Sequence, residues 1–599
     1  MNLQNRLRLS TIVLFALFFS LGTIYVHSNT IALFDFSNES LSAESEELYR
    51  LKISHEKIYY CRKIDIHIDS LKSAETILIP LDGIQIMVDK INDFFDSALG
   101  YCYYAYESHD AEVSLSIFND ELIGIIHCSC GVYYIETWGK DYVLVQREEI
   151  QDFEPEMNLH DHEEAIISEK KHNISTTTIF VIRVAILYTE NAQLNYGSAD
   201  AFFNAVYNDL RNANQSLENS NINAKLELAY LGKTNDVEGF LSFDSILVKF
   251  RTPNDGYMDE IHTLRSIFNA DICVAYIDKS EYCGLSTVNE SSDYAFAVVR
   301  ASSGCAGKYT FAHEIGHILG CGHDLGAPLN YSLYQFGHGY VHFVSGYPSS
   351  SWRTIMAYGT SCANNENNCK CIKYWSNPNL LYNGYYLGDN DSFNTLVWQL
   401  RSPIVSAFES IPQDLLAGGI YAPTNMLYSH LYADGKVYLL GNYNINAGQI
   451  VDVVAPDTIR LLPNTHIAEG SIFHAYISQN SRANSTMDIT YNDSYPEDTI
   501  QNDNIDYSMQ MVSSDMVNIF PNPISSYFDV NISLNKSIEA DVQISIINAV
   551  GQVCIALPTL HIDDLNWTYR ISCQALPMGL YLVVTKINQK TYKHILFIP

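Results

Sequence analysis

The chain has 599 residues, a formal net charge of −33, 47% hydrophobic but only 17% charged residues, and 42 tyrosines. That length exceeds one ordinary domain, and the apolar share is enough for several packed cores. So acidic a chain argues against a nucleic-acid partner, because neutralising a phosphate backbone needs clustered Lys and Arg.

Taken in chain order, Arg6 and Arg8 precede an apolar run from Thr11 to Val26, and Val26-His27-Ser28 offers tolerated residues for cleavage. This is the pattern of an export signal over residues 1–28. The run is short for a bilayer of ~30 Å. No later stretch is apolar for long enough, so no transmembrane segment is expected in the mature chain. Thirteen cysteines in an exported chain suggest disulfides. Connectivity does not follow from sequence. Cys283 with Cys305, and Cys362 with Cys369 or Cys371, are pairs that would each brace a loop.

Residues 29–177 read as β-rich. Val113 to Phe118 alternates apolar and polar, Asn119-Asp120 signals a turn, and Glu121 to Tyr134 is strand-like. Gln151 to Thr178 is polar without apolar period and reads as an exposed linker. From 178 to about 410 strands and helices alternate. Phe180 to Tyr188 is a β-branched run expected to be a buried strand. Asp200 to Ser220 has helical spacing, and Lys225–Leu231 and Ala270–Ile277 read as strands. Tyr294 to Val299 is either an edge strand able to pair with an extended peptide or a plain core strand. Lys308 to Leu319 is expected to be a helix with Phe311, Ile315 and Ile318 facing the core.

That helix carries His313-Glu314-Ile315-Gly316-His317-Ile318-Leu319-Gly320-Cys321-Gly322-His323. His313 and His317 are four apart and share a helix face. Gly320 permits a sharp turn, which would return His323 as a third ligand. Three imidazoles suit zinc and leave a position open. Glu314 would face that position as a general base on water. A bare His-Glu-x-x-His arises by chance now and then; the eleven-residue form is far harder to reach by accident.

This run, with Thr354-Ile355-Met356-Ala357-Tyr358-Gly359 downstream, resembles the metzincin metallopeptidases, whose long zinc motif is followed by a methionine turn. Met356 would then be the apolar floor of the site. Asp324 after the third ligand is similar to the reprolysin (adamalysin) branch. Tyr358 departs from that branch and looks more like astacins and serralysins, in which this hydroxyl stabilises the metal site or the oxyanion. The resemblance implies an α/β (α+β) catalytic domain, with a mixed twisted sheet and an active-site helix, over 178–410. It also implies a propeptide before it, and Leu122–Ile126 with Gly131–Ile135 is faintly similar to reprolysin-type propeptides. Cys130-Gly131-Val132 resembles the cysteine-switch tripeptide, in which a propeptide thiolate takes the open zinc position; the alternative is a strand cysteine paired with another. Tyr374–Pro378 is similar to a segment of bacterial reprolysin-like enzymes.

The last third is all β. Residues 415–479 have a strand-and-turn rhythm, around Ala447–Val451, Ala455–Pro463 and Gly470–Ala475, that resembles a small β module of Bacteroidetes surface proteins. Residues 480–515 are polar and read as a linker. Residues 516–599 resemble a type IX secretion sorting domain on Ile519-Phe520-Pro521-Asn522-Pro523, Val542–Ile547, Gly551, Leu576–Tyr581 and Tyr592–Ile595. The expected form is an Ig-like β-sandwich. This resemblance implies the type IX machinery as partner and export through the periplasm to the outer surface or the medium.

The expectation is therefore a multidomain, secreted zinc endopeptidase made as a zymogen and acting on proteins or peptides. The rivals are a surface adhesin that keeps the fold without the activity, which the intact Glu314 argues against, and a zinc hydrolase acting on glycans or esters. Calcium is left open, with no loop carrying a recognisable ligand pattern. Cleavage specificity depends on loop shape between residues 340 and 375 and is not legible.

Overall fold

In the computed structural model the described residues are 30–147, 178–478 and 516–598, apart from short stretches within each, among them 289–290, 328–329, 345–349 and 360–368. The expected export signal, both expected linkers, Cys362 and Cys573 lie outside the described residues. No helix among the described residues is long and apolar enough to cross a membrane.

Residues 30–147 form a ten-stranded sheet. Its centre is an antiparallel meander of β1 (Tyr101–Glu107), β2 (Ala111–Phe118), β3 (Glu121–Cys128), β4 (Gly131–Trp138) and β5 (Asp141–Arg147). Asn119 and Asp120 turn β2 into β3 with φ of 48° and 61°. Both central residues of a type I′ hairpin need that left-handed backbone, which Asn and Asp tolerate. Side chains alternate across the strands. Tyr104, Tyr106, Val113 and Leu115 fill a core on one face, while Tyr101, Tyr103 and Phe118 join the core of the next domain.

That next domain is built on a mixed sheet. β6 (Phe180–Tyr188) is flanked in parallel by β7 (Ala224–Lys233) and β8 (Ile272–Ile277). The short strand β9 (Gly284–Ser286) runs antiparallel to β10 (Phe296–Arg300), and β10 is parallel to β8. The edge on this side is β9. The stretch 294–299, weighed above as an edge strand, lies inside the sheet as β10. The long helix α1 (Ala199–Asn219) links β6 to β7.

Residues 414–477 do not form the separate module expected for 415–479. Strands β11 (Met426–Tyr432), β12 (Ile450–Ala455) and β13 (Ile472–Ile477) are mutually parallel, and β11 pairs antiparallel with β7. The full sheet runs β9–β10–β8–β6–β7–β11–β12–β13. Partners are offset by 22 residues at three places around the coil: 436 to 458, 444 to 466 and 450 to 472. A constant offset at every strand is the geometry of a solenoid, in which each coil covers the one before. Polar groups cross this extended sheet. Arg183 on β6 pairs with Glu227 on β7, which His430 Nδ1 on β11 meets at 2.9 Å. Asp452 on β12 is met by His474 on β13 at 3.1 Å and by the Tyr428 hydroxyl at 2.9 Å. Buried charges are tolerated when paired in this way.

Residues 516–598 form a three-stranded and a five-stranded antiparallel sheet. Phe528, Val530 and Ile532 of the first share one core with Val542, Ile544, Ile546 and Val583 of the second, so this part is β-rich with two sheets facing each other.

Helix α1 is buried on almost every side. Its apolar residues Phe202, Phe203, Val206 and Leu210 pack on the β6 sheet. Its polar residues meet residues 30–147: Asn204 Nδ2 donates to the Glu121 carbonyl at 2.8 Å, and Tyr103 donates to Gln215 at 2.6 Å and Asn212 at 2.9 Å. A buried cluster closes this interface. Glu112 on β2 pairs with Lys373 at 3.1 Å and Lys370 at 3.2 Å, and His127 on β3 stacks on Tyr309. Burial alone would raise the Glu112 pKa, but Lys373 and Lys370 overcome it and hold the carboxyl down at about 2. Burial, with Lys370, Lys373 and Arg353 outweighing Glu112, pushes the His127 imidazole down to about 4.

The folded chain therefore resists protonation of His127 between its ordinary value of 6.5 and about 4, and of Glu112 from 4.5 to about 2, while the unfolded chain does not. Stability falls as pH drops through these windows. Thermal unfolding between pH 6.5 and 4 is expected to show a loss on the order of 3 kcal/mol for the His127 part, and His127→Asn is expected to flatten that segment of the curve. An unchanged slope in the variant would contradict the assignment.

Candidate metal centre

The motif helix α2 spans Thr310–Leu319, with Phe311, Ile315 and Ile318 in the core as expected. Gly320 ends it with φ 103°, and the N–H of Cys321 closes on the Gly316 carbonyl at 2.9 Å. A residue with a Cβ would be strained there. The chain reverses, and His323 comes back against the helix. Its Nε2 lies 3.2 Å from His313 Nε2 and 3.0 Å from His317 Nε2.

The other ring nitrogens fix the chemistry of these three atoms. His313 Nδ1 lies 2.8 Å from the Ile355 carbonyl, and His317 Nδ1 lies 2.8 Å from the Cys321 carbonyl. A carbonyl only accepts, so each Nδ1 carries the proton and each Nε2 a lone pair. Burial, then neighbouring His323, holds the His317 pKa well below its ordinary value, so the ring is neutral. Lone pairs brought this close repel unless a cation sits among them. Three imidazoles, two of them with the second nitrogen tied to a backbone carbonyl, form a fitting donor set for zinc with an open position. Among the described residues this is the one cluster of three His, Cys, Asp or Glu side chains able to hold a metal ion.

The supports come from distant segments. Met356 is fully buried, and a Cβ placed on Gly316 would lie 2.6 Å from its sulfur, so the methionine lies directly against the helix. The Tyr358 ring lies 4.0 Å, centroid to centroid, from that of His323. Asp324 joins the two loops: one carboxylate oxygen accepts from the Tyr358 N–H at 2.8 Å and the other from Gly326 at 3.0 Å. Arg353 donates to the Ala357 carbonyl, and His338 Nδ1 holds the His323 carbonyl at 2.9 Å. Glu314 is fully buried between His313 and β9, where Ser286 Oγ donates to its Oε2 at 2.6 Å. Motif reading missed Ser286, Gly284, His338 and Arg353, because none has a spacing that marks it; only the pairing of distant strands brings them in.

The cysteines divide. Cys283 is bonded to Cys305, which ties β9 to the segment before α2. Cys369 is disulfide-bonded, and Cys371 is a buried thiol. Cys130 is bonded to Cys128 across the β3–β4 turn and is absent from the histidine cluster. A sulfur held in a disulfide offers no thiolate, so Cys130 is the paired strand cysteine rather than a cysteine switch.

Two family models match the chain: a metallo-peptidase family M12 model over residues 180–369 and a secretion system C-terminal sorting domain model over residues 518–598. A peptidyl-Asp metalloendopeptidase of Stenotrophomonas maltophilia (strain K279a) is 35% identical over 281 residues, 45% of this chain and 64% of that protein. One from Xanthomonas campestris pv. campestris is 40% identical over 210 residues, 35% of this chain and 46% of that protein. One from Pseudomonas fragi is 34% identical over 170 residues, 28% of this chain and 85% of that protein. The chain thus spans less than two thirds of the first two relatives.

Asp324→Ala would leave the buried Tyr358 N–H without its acceptor. It is expected to cost roughly 1–3 kcal/mol of stability and to weaken zinc binding about tenfold or more. Thermal unfolding and competition with a chromogenic chelator check this; zinc affinity within twofold of wild type would contradict it.

Proposed function

We propose that this chain, which belongs to metallo-peptidase family M12, is a secreted zinc endopeptidase that cuts proteins at aspartyl residues, the preference carried in its relatives' names. The observation that carries the reading is the convergence of the His313, His317 and His323 Nε2 atoms on one point, with Glu314 on the same helix as two of them. Zinc held there would supply a Lewis acid for the scissile carbonyl and make water a nucleophile near neutral pH.

Glu314 takes the attacking water's proton and later returns it to the leaving amine. It stands next to His313 on the helix that carries two of the ligands. Tyr358, over His323, donates its hydroxyl to the oxygen that becomes negative. Met356 and Trp375 pack under Gly316 and fix the height of the helix. The fold is read as a metzincin: mixed sheet, long helix behind, zinc helix in front, loop-rich lower part. Residues 29–177 act as a removable propeptide. The α1 surface they cover is mixed: Asn204, Asn212 and Gln215 hydrogen-bond to them, and Phe203 and Tyr207 meet Phe118 and Tyr101. The last domain, read as an Ig-like sandwich, serves as the sorting signal for the type IX machinery, which places the enzyme at the cell surface or outside the cell.

The test is digestion of a peptide library by the purified mature enzyme. Chelator-sensitive cuts clustered at aspartyl bonds are expected. Glu314→Gln is expected to lower kcat by roughly 10²–10⁴ with zinc retained, and Tyr358→Phe by about 10². Glycan or ester hydrolysis without peptide cleavage would overturn the reading, and unchanged turnover in Tyr358→Phe would remove that residue from the mechanism.

A further inference from the structure

A carboxylate used as a base must be aimed, and its own side chain does not aim it. The last torsion of Glu joins a tetrahedral to a planar carbon and has a broad, roughly two-fold profile. The geometry around Glu314 supplies the missing constraint from β9. Ser286 Oγ lies 2.6 Å from Glu314 Oε2 and 3.0 Å from the Glu314 main-chain carbonyl. A hydroxyl hydrogen bond to a charged oxygen of this length belongs to the strong class. Two residues earlier, Gly284 leaves room for the same group: a Cβ built there would stand 2.7 Å from both Cγ and Cδ of Glu314. Real side-chain atoms do not approach so closely, so any larger residue would push the carboxylate aside.

The strand that presents these two residues is itself clamped. Gly284, Leu285 and Ser286 pair with Val299, Val298 and Ala297. Cys283 is bonded to Cys305, and the Cys305 carbonyl accepts from Thr310 Oγ1, at the start of the motif helix, at 2.8 Å. Strand and helix therefore hold a fixed separation.

We propose that Ser286 is a positioning residue for Glu314, orienting the carboxylate through Oε2, and that Gly284 is required for the same placement. This rests on the reading of Glu314 as the base. Misplacing a reacting group by about 1 Å can cost on the order of 10²-fold in rate, so a large effect on turnover with little effect on binding is the expected signature.

The experiment compares Ser286→Ala, Ser286→Thr, Gly284→Ala, Glu314→Gln and wild type as the activated full chain, on a fluorogenic aspartyl peptide, with zinc content and Tm measured for each. Ser286→Ala is expected to lower kcat roughly 10- to 100-fold with KM within about twofold and zinc content and Tm unchanged. Ser286→Thr, which keeps the hydroxyl, is expected to restore most of kcat. Gly284→Ala is expected to lower kcat although Ser286 is present. A Ser286→Ala kcat within about twofold of wild type overturns the proposal, as does a loss that follows falling zinc content or Tm. Wild type as inert as Glu314→Gln would instead overturn the reading of the site, and the proposal with it.

Discussion

Three nitrogen lone pairs, that of His323 3.2 Å from His313 and 3.0 Å from His317 and all within 4.8 Å of one another, are the constraint on which the centre of this protein is built. Such an arrangement is unfavourable without a cation, so the chain must enforce it. The enforcement is local and distant at once. The helix sets His313 over His317, and the left-handed Gly320 turns the chain so that His323 arrives against them. Backbone carbonyls of Ile355 and Cys321 then decide which nitrogen of the first two rings is protonated. A rotated ring would lose that bond and point an N–H at the metal position.

The same logic explains the supports. Asp324 follows the third histidine directly and reaches the backbone of Tyr358, so the ligand loop and the methionine turn cannot shift independently. On the opposite side, β9 is fastened to the helix start through Cys283 and Cys305. The site thus sits between an edge strand and a turn, each anchored at one end. Farther out, α1 serves two neighbours: one face packs on the β6 sheet, and the other meets residues 30–147 through both amides and aromatic rings.

Much of this was legible in the sequence where the signal is local. The offsets of the three histidines, the glycine turn and the Asn119-Asp120 hairpin depend on residues a few positions apart, and helix and turn geometry convert such spacing directly into contacts. The boundaries of α2 and α1 shifted by only a residue or two from expectation. What was not legible is long-range pairing. Residues 414–477 carry a rhythm, but joining β11 to β7 is decided by strand edges that nothing within either segment announces. Ser286 lies 28 positions from Glu314 in a Gly-Leu-Ser triplet that resembles any other short strand. For Cys130 the three-residue match left the switch and the paired strand cysteine both open, because it says nothing about Cys128, which the hairpin turn places within bonding distance.

The most direct measurement is zinc K-edge absorption on the purified full chain. The account requires first-shell scattering from three imidazole nitrogens at about 2.0–2.1 Å with the ring multiple-scattering pattern, plus one light oxygen ligand. Absence of zinc, or a sulfur shell near 2.3 Å, would contradict it.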